Sequence, residues 1–114
     1  MVRTPSSSRT GEKHQGDIWW LETEQEAGRP CLILTRDRAI GVLDAVLVAP
    51  ITRTIRGIPT EISLDRSDGL PVDCVATMDN TSVVPKSALT HKVGALTPGR
   101  WPEVCAALRA ATDC

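Results

Sequence analysis

The sequence predicts a small, mainly β domain: a strongly bent antiparallel sheet or barrel finished by one C-terminal helix. Three observations carry this. Short apolar runs bounded by turn residues recur from Asp17 to Leu96. Only the last stretch places apolar residues, Val104, Ala107, Leu108 and Ala111, on one helical face. Val, Leu and Ile make up 27 of 114 residues and Phe and Tyr are absent, so the core must be aliphatic.

The elements follow in order. Residues 1–15 are polar, with Pro5, a serine triplet and Gly11, and are expected to form a loose tail ahead of one domain, 16–114. Asp17–Leu21 reads as a first strand and Glu22 to Gly28 as a loop. Pro30–Thr35 is continuously apolar up to its last residue, as a strand buried on both faces is. The charged stretch Arg36-Asp37-Arg38 precedes a third strand, Ala45–Thr52. Pro50 within it predicts an edge or a bulge. Thr60–Leu64 alternates polar and apolar, Cys74–Met78 reads as a fifth strand and Lys92–Leu96 as a short sixth. Thr97 at the N-cap and Pro98 at the first helical position then open the helix.

Composition excludes several functions. Trp19, Trp20 and Trp101 are the only aromatics, too few for a base-stacking platform. No run of about 18 apolar residues exists to cross a membrane. No apolar run follows Met1, so no secretory leader is read and a cytoplasmic protein is expected. Cys31, Cys74, Cys105 and Cys114 include no Cys-x-x-Cys pair and read as small thiols of a reduced protein rather than a disulfide framework or zinc site. His14 falls in the tail and His91 in a turn, which disfavours a two-histidine ribonuclease. Asp65, Asp68 and Asp73 do not fit a calcium loop and read as a polar turn. Neither metal nor cofactor is expected.

The formal net charge is −1, yet Arg29 to Thr60 holds five arginines against Asp37 and Asp44. Such a zone suits phosphate, though a solvated charged surface has the same composition. Arg29 at the mouth of a buried strand and Thr52 at the end of another are each either structural caps or functional groups.

The motif series adds a specific resemblance. Glu24-Gln25-Glu26-Ala27-Gly28-Arg29-Pro30 resembles the Ser-Glu-Gln-x-Gly-x-Arg-Pro segment of the MazF/PemK (Kid) toxin family. Gly16-Asp17-Ile18-Trp19 is similar to that family's opening strand, Val48-Ala49-Pro50-Ile51-Thr52 to its Val-x-Pro-x-Thr strand, and Gly57-Ile58-Pro59-Thr60-Glu61 to the Gly-x-Pro-x-Glu that follows. Val75–Asn80 and Leu96-Thr97-Pro98 complete a match over about residues 16–111. The first loop is shorter than usual, Asn80 stands where relatives have Gln, and Ser82 where many carry a basic residue.

The resemblance implies an SH3-like barrel of the MazF/CcdB type, working as a homodimer and neutralised by a cognate antitoxin. It implies a metal-independent endoribonuclease that cuts single-stranded RNA, with mRNA as substrate and rRNA or tRNA as the alternatives, through 2′-hydroxyl attack. The products are a 2′,3′-cyclic phosphate and a 5′-hydroxyl, and the outcome is arrested translation and growth. By carry-over Arg29 stabilises the phosphorane, Thr52 donates to a phosphate oxygen, and Glu24 is a base or orienting group. Arg53, Arg56, Asn80, Asp79, Gln25 and Ser82 are the RNA-contact candidates. The alternatives are a CcdB-like non-enzymatic toxin that binds DNA gyrase and an SH3-like interaction module.

Overall fold

The computed structural model describes residues 12–25 and 27–112; residues 1–11 of the expected tail, Glu26, Asp113 and Cys114 lie outside them. Among the described residues seven strands form one antiparallel sheet. They are β1 (Asp17–Leu21), β2 (Arg29–Ile33), β3 (Ala45–Thr52), β4 (Glu61–Leu64), β5 (Cys74–Thr77), β6 (Ser82–Pro85) and β7 (Leu89–Ala95). A one-turn helix, α1 (Asp37–Ile40), joins β2 to β3, and α2 (Trp101–Thr112) follows β7. The sheet order is β4-β5-β3-β2-β1-β7, with β6 also paired to β3.

The central strands bury both faces, which explains their unbroken apolar runs. Ile18, Leu32, Ala49 and Ile51 point into a core roofed by Val104 and Ala107 of α2. Trp19, Cys31, Ile33, Val46 and Val48 point into a second core closed by Ile40, Val84 and Leu89. Adjacent residues of one strand thus serve opposite cores, as the period of two requires. Trp19 is 1% exposed, whereas Trp20 is half-buried on the other face.

Three expectations are corrected. Of the edge or bulge expected from Pro50, the edge is ruled out, because β3 is central. Its residues 45–48 pair with β6 and residues 51–52 with β5. Ala49 and Pro50 fall at the changeover between those partners, where a residue lacking an N–H disturbs the ladder least. Second, the helix starts at Trp101, not Pro98. Gly99 has φ +89, a left-handed value that no helix continues through, and Pro102 is the proline in the first turn. Third, β7 begins at Leu89, which puts His91 inside a strand rather than in a turn.

Thr97 does not cap the helix, which begins four residues later, and its donors go instead to Asp68. The Asp68 carboxylate is 1% exposed and accepts from the Thr97 N–H (3.0 Å) and hydroxyl (2.8 Å). It also accepts from the Asp65 N–H (3.1 Å) and pairs with Arg100 (3.3 Å). The acidic turn is therefore structural, and it fastens the β4–β5 connection to the start of α2.

Residues 12–15 pack on the domain. The buried Asp17 carboxylate accepts the His14 N–H at 2.9 Å, and the Gln15 side-chain amide donates to the Leu34 carbonyl at 3.0 Å.

Candidate active site

Arg29 opens β2 and Thr52 closes β3. The two strands are antiparallel with Cys31 opposite Pro50 as their last paired position, so Arg29 and Thr52 fall at the same end of the pair. Arg29 is exposed and Thr52 half-buried, so the pair stands at the rim of the sheet. Gly28 is required just before it. Its Cα lies so close to the Trp20 indole that any Cβ there would overlap the ring. Trp20 is itself held from elsewhere, stacked on His91 with ring centroids 6.0 Å apart and donating Nε1–H to Glu22 at 3.3 Å.

Arg29 and Thr52 separate two depressions and line both. The first, of about 570 Å³, is walled mainly by apolar groups: Trp20, Pro30, Leu70, Val72 and Val93, with Arg53 at its edge. The second, of about 290 Å³, is polar and lined by Thr54, Arg56, Glu61, Thr77 and Asn80. The arrangement sets a cationic ridge between an apolar hollow and a hydrogen-bonding one, as a phosphate flanked by bases would need.

Local hydrogen bonds fix these groups. Thr52 Oγ1 accepts the Thr54 N–H at 3.1 Å, so the hydroxyl's own hydrogen is directed elsewhere. Glu61 accepts the backbone N–H groups of Arg56 (3.1 Å) and Gly57 (2.9 Å). Asp79 accepts the Thr60 hydroxyl at 2.6 Å beside the same hollow.

The structure therefore brings together Arg29, Thr52, Arg53, Arg56 and Asn80, with Asp79 tied in behind Thr60. Glu24 and Gln25, exposed in the β1–β2 loop, and Ser82, exposed on β6, line neither depression. Trp20, Glu61 and Thr77 join the site beyond the residues expected from sequence. The Gly57-x-Pro59-x-Glu61 pattern is the available signal for Glu61. The basic zone divides, because Arg36 and Arg38 line a different depression beside α1.

Cys31 and Cys74 do not offer a nucleophile. Burial pushes the Cys31 thiol up to about 12, and burial together with nearby aspartates, Asp68 foremost, raises that of Cys74. Among the described residues no group of three or more His, Cys, Asp or Glu is placed to hold a metal ion.

The sequence pattern of the PemK-like, MazF-like toxin of type II toxin–antitoxin systems matches residues 14–112. A Mycobacterium tuberculosis protein named "Probable endoribonuclease MazF2" is 38% identical over 101 residues, 88% of this chain and 98% of that relative. The "Endoribonuclease MazF3" of the same species is 39% identical over 88 residues, 77% of this chain and 85% of the relative. The solved structure titled "Mycobacterium tuberculosis toxin MazF-mt6" superposes with a TM-score of 0.79 at 36% identity, covering 85% of this chain and 96% of that one. On these likenesses the chain belongs to the PemK-like, MazF-like toxins of type II toxin–antitoxin systems.

Proposed function

We propose that the protein is the toxin of a toxin–antitoxin pair and a metal-independent endoribonuclease acting on single-stranded RNA in the cytoplasm. The observation that carries this reading is the Arg29–Thr52 ridge between an apolar and a polar hollow. An RNA strand laid across it would seat its phosphate on the ridge and a base in the first hollow.

The nucleophile is the substrate's own 2′-hydroxyl. Its oxygen loses a proton and bonds to the adjacent phosphorus. The bond from phosphorus to the 5′-oxygen breaks, and that oxygen gains a proton. The products are a 2′,3′-cyclic phosphate and a 5′-hydroxyl. Charge builds on the non-bridging oxygens in the transition state, and the planar guanidinium of Arg29 is suited to meet it. The Thr52 hydroxyl, its oxygen already accepting from Thr54, donates to one of those oxygens.

Membership of the family brings two partners, a protein antitoxin and a second copy of the chain. Val42, Leu43 and Val83 form an exposed apolar patch between α1 and β6 that a second copy would cover.

The test is incubation of the purified protein with long RNA in EDTA. Discrete cuts whose 5′-hydroxyl ends accept a label directly from a polynucleotide kinase are expected. A requirement for added divalent ion, or 5′-phosphate ends, contradicts the reading.

A further inference from the structure

We propose that Glu61 is a positioning residue that clamps the β3–β4 loop, residues 53–60, in the shape that presents Arg53 and Arg56 to RNA. The inference rests on the endoribonuclease reading and goes beyond it, since no role in that reading belongs to Glu61.

The loop needs an anchor. Residues 53–59 are all exposed, with Ile55 and Ile58 at 54% and 38%, so burial does not hold this stretch; Thr60, buried and bonded to Asp79, secures only its β4 end. Glu61 sits on the first residue of β4, opposite Thr77 of β5, so its backbone is fixed by the sheet. From there its carboxylate reaches back to the middle of the loop. It accepts the Arg56 N–H with both oxygens, at 3.1 and 3.3 Å, and the Gly57 N–H at 2.9 Å. A charged acceptor makes these bonds about twice as strong as neutral ones. Gly57 has φ +71, the left-handed turn that aims successive N–H groups at one point. Arg53 and Arg56, on the same loop, are thereby held against the two hollows.

The clamp predicts an effect opposite in sign to simple electrostatics. Deleting a carboxylate from an RNA-binding groove should, on charge alone, tighten binding. If Glu61 acts through the loop, deletion weakens it.

The experiment uses full-length protein and a single-stranded RNA spanning a mapped cut site. Affinity is measured on a version carrying 2′-deoxyribose at the cut nucleotide, and kcat and KM on the intact RNA. Glu61→Ala should weaken affinity and raise KM on the order of tenfold, the equivalent of one charge-assisted hydrogen bond, with little change in kcat. Glu61→Gln, which keeps an accepting oxygen, should restore much of the loss. The slope of log affinity against log salt should flatten by about 0.7 for each phosphate that the arginines no longer neutralise. Added to Arg53→Ala and Arg56→Ala together, Glu61→Ala should have almost no further effect.

Unchanged or tighter binding by Glu61→Ala overturns the clamp, as does a loss of equal size with and without the arginines. Failure of the wild-type protein to cut any RNA overturns the functional reading instead. Should Glu61→Ala not fold, amide hydrogen exchange in the wild type decides. Protected Arg56 and Gly57 N–H groups within an otherwise fast-exchanging loop support the clamp, and fast exchange at both refutes it.

Discussion

Arg29 at the start of β2 and Thr52 at the end of β3 both lie just past Cys31–Pro50, the last paired position of the two strands, and both line the two hollows, forming the ridge between them. They lie 23 positions apart in the chain, and only the antiparallel register makes them neighbours. Anything that shifts β2 against β3, or moves the loop that delivers Arg29, should disturb both groups at once.

Gly28→Ala is the mildest such disturbance. The new methyl would overlap the Trp20 indole, and Trp20 cannot swing away without giving up its stack on His91 and its bond to Glu22. Overpacking of this kind costs about 1–3 kcal/mol. Urea unfolding should show that loss, with altered tryptophan fluorescence and reduced RNA cleavage. A wild-type midpoint would show that the ring yields freely.

Asp68→Ala should destabilise the fold while sparing the chemistry. It removes the acceptor of the Thr97 and Asp65 donors and one partner of Arg100, all distant in role from the Arg29 ridge. Arg100 keeps Glu103 and the Ser63 carbonyl, so the cost is that of the backbone and hydroxyl donors left without an acceptor, about 1–3 kcal/mol each when buried. The denaturant midpoint should fall accordingly. Cleavage per folded molecule, measured well below the melting temperature, should stay near wild type.

Alkaline stability should report on Cys31. Its thiol ionises near the ordinary 9.0 in the unfolded chain but only at about 12 when folded. The contribution is therefore fully present below pH 9 and is lost as pH rises toward 12. By linkage it amounts to roughly 2 kcal/mol of lost stability at about pH 10.5. Between pH 8 and that value the wild type should lose more stability than Cys31→Ala does. Equal losses would place the thiol in water-accessible surroundings.

Much of this fold can be read from the chain because the central strands announce themselves. Asp17–Leu21 and Ala45–Thr52 are observed with the expected bounds, and the expected face of α2, Val104, Ala107, Leu108 and Ala111, meets the core. β6 escapes a reading of the sequence because Ser82-Val83-Val84-Pro85 is short and only Val84 is buried. The helix start is misplaced by sequence pattern because Thr97 has the chemistry of a cap, yet its partner is Asp68, 29 positions away. Local pattern carries no information about such a distant acceptor.

The candidate site divides along the same line. Arg29 and Thr52 stand next to distinctive neighbours, Pro30 and Pro50-Ile51, and the fold brings them together. Glu24 and Gln25 share Arg29's motif but sit in a loop whose path the strand pattern does not determine, and they line neither hollow. Trp20 and Thr77 come to the site through pairing and packing alone.

The most direct test of the central claim, that Arg29 and Thr52 act together in the chemical step, is single-turnover RNA cleavage at saturating enzyme by Arg29→Lys and Thr52→Val. Lysine keeps the charge but not the planar fork, and valine keeps the shape but not the hydroxyl. Loss of one preorganised transition-state donor typically lowers the rate by about 10²–10³. Each variant should remain folded, bind the uncleavable RNA and show a loss of that order. Near wild-type rates, or a defect that disappears when all the RNA is bound, would contradict the account.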